Sequence, residues 1–338
     1  MLIFITGISG SGKQQYINEV QDIARDKGQT LDIYHLGDTM YHAAAEIGHP
    51  ITDGRILDVG PPLLDYLRTI AIKDIMLKMN PNNINIILTA SCFRWNKFLM
   101  RAFDVSQLQE LKPDIYITII DNIKSVHERQ QNSPQWRGKL EPFEVLLWRD
   151  EEIFVSQTLA QFQRKPHYVI SKNESAKTLF NLIFNQYMHK MYLSYPITNI
   201  EKTKPEFFTD LQHIGDVLRK SFIVFDPLTI KDLDPAFTLK NLDRKFIEDD
   251  TVIRDYTFIT QSDFVVVIYP VNERSLGVAA EMRLAKTLGK KVYAYIEEGS
   301  PFGIEFYDKA FNTLDDLFEF LSASYGVRLA YNDSINQR

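Results

Sequence analysis

The sequence predicts an α/β protein of two domains, each built on a parallel sheet wrapped by helices. Three observations predict it. Apolar β-rich runs alternate with helical patterns along the chain, a glycine-rich loop follows the first of these runs, and a second series of runs begins near residue 190. At 338 residues the chain is long enough for two ordinary domains, each with its own core.

The first domain, residues 1–189, opens on the strand LIFIT, followed by the glycine loop and the helix-compatible QQYINEVQDIARDKG. Further strands are expected at INIILTA (84–90) and DIYITII (114–120), with helical pattern between them, and ESAKTLFNLIFNQYMHK reads as a closing helix. This alternation predicts parallel pairing. The second domain, residues 190–338, repeats the logic in MYLSYPIT, SFIVFDP, DFVVVIYP and KKVYAYI. Between the last two lies LGVAAEMRLAKTLG, a helix closed by Gly289.

Composition narrows the function classes. With 45% hydrophobic and 24% charged residues, and no apolar run near the roughly 20 residues of a membrane span, a soluble, membrane-free protein is expected. MLIFITG lacks a basic leader and reads as a buried strand. A single cysteine, Cys92, excludes an internal disulfide and fits a reducing cytoplasm. The net charge of -6 argues against a general nucleic-acid surface and leaves small anionic ligands open.

The loop Gly7 to Gln14, GISGSGKQ, has the pattern of a phosphate-gripping P-loop except at its last position. Gly7, Gly10 and Gly12 let the backbone curl around Ser11 so that N–H groups point inward, and Lys13 adds charge for the β and γ phosphates. Gln14 stands where a hydroxyl normally holds magnesium. Its amide oxygen is a weaker and bulkier partner, so magnesium stays an open question.

Residues 1–185 resemble the archaeal type of adenylate kinase and its nucleoside-monophosphate-kinase relatives, through GISGSGK, HLGDTMYHAAAEIG with Asp38, and LQELKPDIYITIIDNIKSVHERQQ with Arg129. The resemblance implies a P-loop kinase-like sheet holding ATP or another nucleotide. It also implies that arginines clamp the transferring phosphoryl group, with Arg129, Arg137 and Arg149 as candidates, and Arg55 in the monophosphate site. Those kinases carry an aspartate at the end of the next central strand. Here INIILTAS ends in Thr89, Ala90 and Ser91, so two metal supports are missing and transfer is expected to suffer more than binding. A carboxylate such as Asp38 or Asp121 would have to replace them in an active kinase.

In the second half, a strand emerging at Tyr269 leads through a loop with Ser275 and Gly277 to a helix bearing Glu281 in its first turns. Helix starts offer free N–H groups, and the C-terminal edge of a parallel sheet is where α/β ligand sites form. Residues 191–298 resemble the nucleoside 2-deoxyribosyltransferase family, most closely its 2′-deoxynucleoside 5′-phosphate N-hydrolase branch, through YLSYPIT, RDYTFITQSDFVVVIYP, SLGVAAE and GKKV. The resemblance implies a Rossmann-like (flavodoxin-like) sheet with Glu281 attacking the anomeric carbon. It places the substrate's 5′-phosphate on Ser275 and the N–H groups around Gly277, and gives Asp255 the positioning of the glycone or protonation of the base. Asp263 is assigned to the strand edge and the surroundings of the site, and at least a homodimer is implied. Tyr192 and Tyr195 read either as base-stacking or as core residues.

The expectation is therefore a cytoplasmic nucleotide N-glycosidase, hydrolysing or transferring, fused to a nucleotide-binding P-loop domain. An active nucleoside monophosphate kinase and a non-catalytic nucleotide sensor stand as alternatives, and base, sugar and a dinucleotide such as NAD stay open.

Overall fold

The computed structural model describes residues 1–95, 98–102, 105–230, 232, 244–297 and 306–329. The chain divides into two compact units: Met1–Ala176 with Ile230–Arg244, and Lys177–Thr229 with Lys245–Arg338.

The first unit runs β1 (Leu2–Thr6), α1 (Lys13–Asp26), β2 (Leu31–His35), α2 (Leu36–Glu46), α3 (Pro61–Lys78), β3 (Ile84–Leu88), a short hairpin β4 (Cys92–Trp95) and β5 (Phe98–Arg101), then α4 (Val105–Leu111), β6 (Ile115–Ile120), α5 (Ile123–Gln131), α6 (Pro142–Phe162) and β7 (His167–Ser171). Five strands make one sheet in the order β2-β3-β1-β6-β7, every pair parallel. β1 and β6 are buried at every position, which is why LIFIT and IYITII are almost continuously apolar rather than alternating.

The second unit begins with α7 (Ala176–Phe184) and continues β8 (Lys190–Ser194), α8 (Ile197–Thr203), α9 (Phe207–Leu218), β9 (Ile223–Phe225), α10 (Arg244–Gln261), β10 (Phe264–Tyr269), α11 (Leu276–Thr287), β11 (Lys291–Ile296), β12 (Lys309–Phe311) and α12 (Leu314–Tyr325). Its parallel sheet runs β12-β11-β10-β8-β9. Counted within the unit this is the order 2-1-3-4-5, the doubly wound flavodoxin-like arrangement, whose topological switch point lies between β8 and β10. Gly289, at φ +70, ends α11 as its place in the sequence predicts. No helix among the described residues is long and apolar enough to cross a membrane.

One side chain ties the first sheet to its loop. Glu152, from the middle of α6, is fully buried. One of its oxygens accepts the Gly7 N–H at 2.8 Å and the Ser91 N–H at 2.7 Å, and the other accepts the Cys92 N–H at 3.0 Å. It thus bonds the residues that follow β1 and β3. Next to it the Trp148 indole donates to the Cys92 carbonyl at 2.9 Å, and Trp136 packs on Trp148 at 4.6 Å between ring centres.

Glu152→Ala leaves three buried N–H groups without their acceptor, and an expected loss of about 3 to 5 kcal/mol follows. All three tryptophans, Trp95, Trp136 and Trp148, belong to the first unit. Denaturant titration followed by tryptophan fluorescence therefore reads this unit's stability. A shift within about 0.5 kcal/mol, the range of an ordinary surface substitution, would show that the carboxylate is not the anchor.

Candidate functional site

The described residues present two candidate sites, one per unit. In the first, the glycine loop leaves β1 and enters α1, and its shape requires glycine. At Gly12, φ +77, an added Cβ would lie 2.7 Å from the Lys172 side chain; at Gly10, φ +86, it would lie 2.9 Å from the Val126 carbonyl oxygen. From α5, Arg129 Nε donates to the Gly10 carbonyl at 2.5 Å and Gln130 donates to that of Ser9 at 2.8 Å, so the rim of the loop is held from outside.

A cavity of about 490 Å³ opens beside the loop, within the range of small-ligand sites. Gly10, Gly12, Lys13, Gln14, Asp38 and Arg129 line it, which brings together most of the residues expected there. Gly7 and Ser11, in the same loop, are not among the lining residues, and Ser11 is buried. The Lys13 ammonium folds back onto the Gly7 and Ile8 carbonyls at 2.8 and 3.4 Å. Burial pulls it down to about 8, against the upward pull of Glu152.

The other arginines are elsewhere. Arg55 is exposed, and its backbone N–H bonds to Asp53 in the same loop. Arg137 is exposed and donates to the Gln131 carbonyl at 3.0 Å. Neither is among the residues lining the cavity. Arg149 is buried, with its guanidinium 2.7 Å from the Asp232 carboxylate, so it is neutralised within its own unit rather than held open for phosphate. Three lining or anchoring residues carry no motif in the sequence: Glu152, and Arg68 and Gln135 in the cavity wall. Arg68 is 4% exposed and bonds Asp65 at 2.7 Å. Its place on the buried face of α3 is a weak signal, since an arginine there interrupts an otherwise apolar stripe.

The loop's donor set fits magnesium poorly. Glu152 reaches the strand end where a metal-supporting carboxylate would be useful, but both of its oxygens are committed to backbone N–H groups. Asp121 is equally engaged, accepting from Asn122, Asn173 and Arg129. Asp38 and the Gln14 amide remain at the cavity, a thin set for an ion that prefers carboxylates in octahedral geometry.

In the second unit, Glu281 sits on α11 and is met at the C-terminal end of β8 by Ser194, whose hydroxyl donates to it at 2.5 Å. The site therefore stands at the switch point of the sheet. Burial raises the Glu281 carboxyl to about 8, reinforced by the Asp255 charge and opposed by Ser194, Tyr192 and Arg254. Asp255, on α10, is buried and receives two guanidinium bonds from Arg254, at 3.3 and 3.0 Å. Its carboxyl is raised by burial, against the pull of Arg254.

Tyr192 and Tyr195 are core residues, 0% and 5% exposed, so neither offers a ring face for stacking. Their hydroxyls are polar neighbours of the carboxylates instead. The Tyr192 hydroxyl is buried without a formed hydrogen bond yet acts on Glu281, while Tyr195 donates to Asp226, which also binds Arg219. Ser275 caps α11, its Oγ accepting the Val278 N–H at 3.3 Å, and Gly277 in the first turn is exposed. Asp263 is a correction: it accepts the Lys190 N–H at 2.8 Å, where β8 and β10 begin, at the opposite end of these strands from Glu281. It belongs to the strand edge and not to the surroundings of the site.

No family model matches the chain, and no curated protein matches it. Among solved structures, a conserved protein from Enterococcus faecalis V583 is similar over 40% of this chain and 99% of its own, at 14% identity and a TM-score of 0.31, a likeness too slight to argue from.

The carboxylate cluster has a direct test. Asp255→Asn removes a like charge and should lower the Glu281 titration midpoint, whereas Ser194→Ala removes a bond to the ionised form and should raise it, each by about one pH unit. Carboxyl carbon NMR against pH reads both; shifts of the same sign would refute the assigned geometry.

Proposed function

We propose that the second unit cleaves the N-glycosidic bond of a nucleoside 5′-monophosphate or related nucleotide, with Glu281 as nucleophile. The observation that supports this most is the meeting of Glu281 with Ser194 at the switch point of a parallel sheet, beside a second carboxylate, Asp255. A carboxylate oxygen attacks C1′ and forms an ester as the C–N bond breaks, and the bond's electron pair leaves with the base, which takes up a proton. Water then cleaves the ester, releasing the sugar phosphate and restoring the carboxylate; another base in place of water gives transfer. Ser194 orients the attacking oxygen, and Asp255 holds the sugar or hands the proton to the base. The first turn of α11, with Ser275 and Gly277, receives the 5′-phosphate. On this reading the protein works in the cytoplasm on small nucleotides, as a homo-oligomer.

The cavity beside the loop favours a second role for the first unit, nucleotide binding through backbone N–H groups and Lys13. Phosphoryl transfer is expected to be slow, because Asp121 and Glu152 are both engaged elsewhere.

Glu281→Ala should abolish release of free base from a nucleotide panel, read by chromatography, with the fold retained. In the wild type only the ionised carboxylate attacks, so kcat/KM should rise with pH through about 8 and level off above it. Substantial turnover in the alanine variant, or a rate that falls across that range, would sink the nucleophile assignment.

For the first unit, Lys13→Ala should weaken ATP binding at least tenfold, with little dependence on magnesium, by isothermal titration. Phosphoryl transfer within the usual kinase range of about 1 to 100 per second would instead establish the kinase reading.

A further inference from the structure

The cavity lining includes Ser133, Gln135 and Trp136, close together in the chain after α5. Gln135 is 6% exposed. Its side-chain oxygen accepts the backbone N–H of Leu57, another lining residue, at 2.9 Å. That bond fixes which end of the amide is oxygen. The amide nitrogen is buried and has no hydrogen-bond partner. An unmet donor of this kind is costly, and native structures keep few of them without a reason. With the oxygen engaged by Leu57, the unmet group of Gln135 is its amide donor.

The rest of the cavity says what kind of ligand. Lys13 and the glycine loop make its anion-binding end, while Met40, Tyr41, Phe93 and Trp136 supply apolar and aromatic surface of the sort that holds a flat ring. Arg68, another buried lining residue, is a second group that donates and never accepts. A ring that turns a keto oxygen toward such a donor is favoured over one that turns an amino group toward it.

We propose that Gln135 is a specificity-determining residue that selects, in the first unit's cavity, a nucleotide whose base presents a keto oxygen, as guanine and uracil do, over adenine. The inference rests on the reading of this cavity as a nucleotide site. Adenine has no keto oxygen, and a base seated with that edge toward Gln135 would set its amino group against the amide nitrogen, donor against donor. The effect of one such hydrogen bond is a factor of about ten in affinity.

The test is calorimetric titration of GMP, UMP, AMP and inorganic tripolyphosphate into the full chain, as wild type, Gln135→Glu and Gln135→Leu. Wild type should bind GMP and UMP about tenfold more tightly than AMP. Gln135→Glu keeps an oxygen for Leu57 and turns the other group from donor to acceptor, so the order should reverse. Gln135→Leu should lose the preference without reversing it. Tripolyphosphate, which has no base, should bind all three equally and reports that loop and fold are intact. A wild type that prefers AMP, or a base order unchanged by both substitutions while tripolyphosphate still binds, overturns the role of Gln135 alone. Failure of wild type to bind tripolyphosphate and every monophosphate overturns the nucleotide reading, and this inference with it.

Discussion

A carboxylate buried among backbone N–H groups holds the first unit together. Taking Glu152 out of water is costly, and the cost is offset only because Gly7, Ser91 and Cys92 all donate to it. Those donors follow β1 and β3, neighbouring strands of the sheet, so one side chain sets where the glycine loop leaves and where the chain turns after β3. Its charge also helps keep the partly dehydrated Lys13 protonated. The tryptophan cluster leans on the same point through the Cys92 carbonyl. Loop shape, lysine charge and aromatic packing therefore share one support.

What is legible in the sequence depends on how locally each feature is determined. LIFIT, IYITII and FVVVIY are buried on both faces and read as strands by apolarity alone. β2, β7 and β12 do not read as strands, because each lies at a sheet edge, only partly buried, in short segments such as LDIYH and KAF. The glycine loop is legible because its glycines and lysine fall within eight consecutive residues. Glu152 is not, because its partners lie 145, 61 and 60 residues away, and nothing in LLWRDEEIF marks which acid turns inward. The arginines show the converse error. Motif position singles out Arg55 and Arg137, which are exposed, while Arg68 lines the cavity from a helix that looks merely amphipathic.

The second unit concentrates ionisable groups that cannot be understood singly. The Asp255 charge adds to the cost of ionising Glu281, Asp250 adds to that of Asp255, Arg254 favours the charge on Asp255, and Ser194 and Tyr192 favour it on Glu281. Tyr195, Asp226 and Arg219 form a second chain of polar contacts from the end of β8. Sequence motif placed Glu281 and Asp255 near one another. It gave no hint of Ser194, a small residue at the end of a strand, yet this hydroxyl bonds directly to the proposed nucleophile.

The resting position of Lys13 has a thermodynamic consequence. With its ammonium turned onto the Gly7 and Ile8 carbonyls and its proton held only up to about pH 8, Lys13 is partly deprotonated in mildly alkaline solution. A polyanion bound there would favour the charged amine, and its binding near pH 8 would draw a proton from the medium. The apparent heat of association then includes the ionisation heat of whatever buffer supplies that proton. Measured in two buffers of different ionisation enthalpy, the same event gives two enthalpies, and their difference counts the protons taken up.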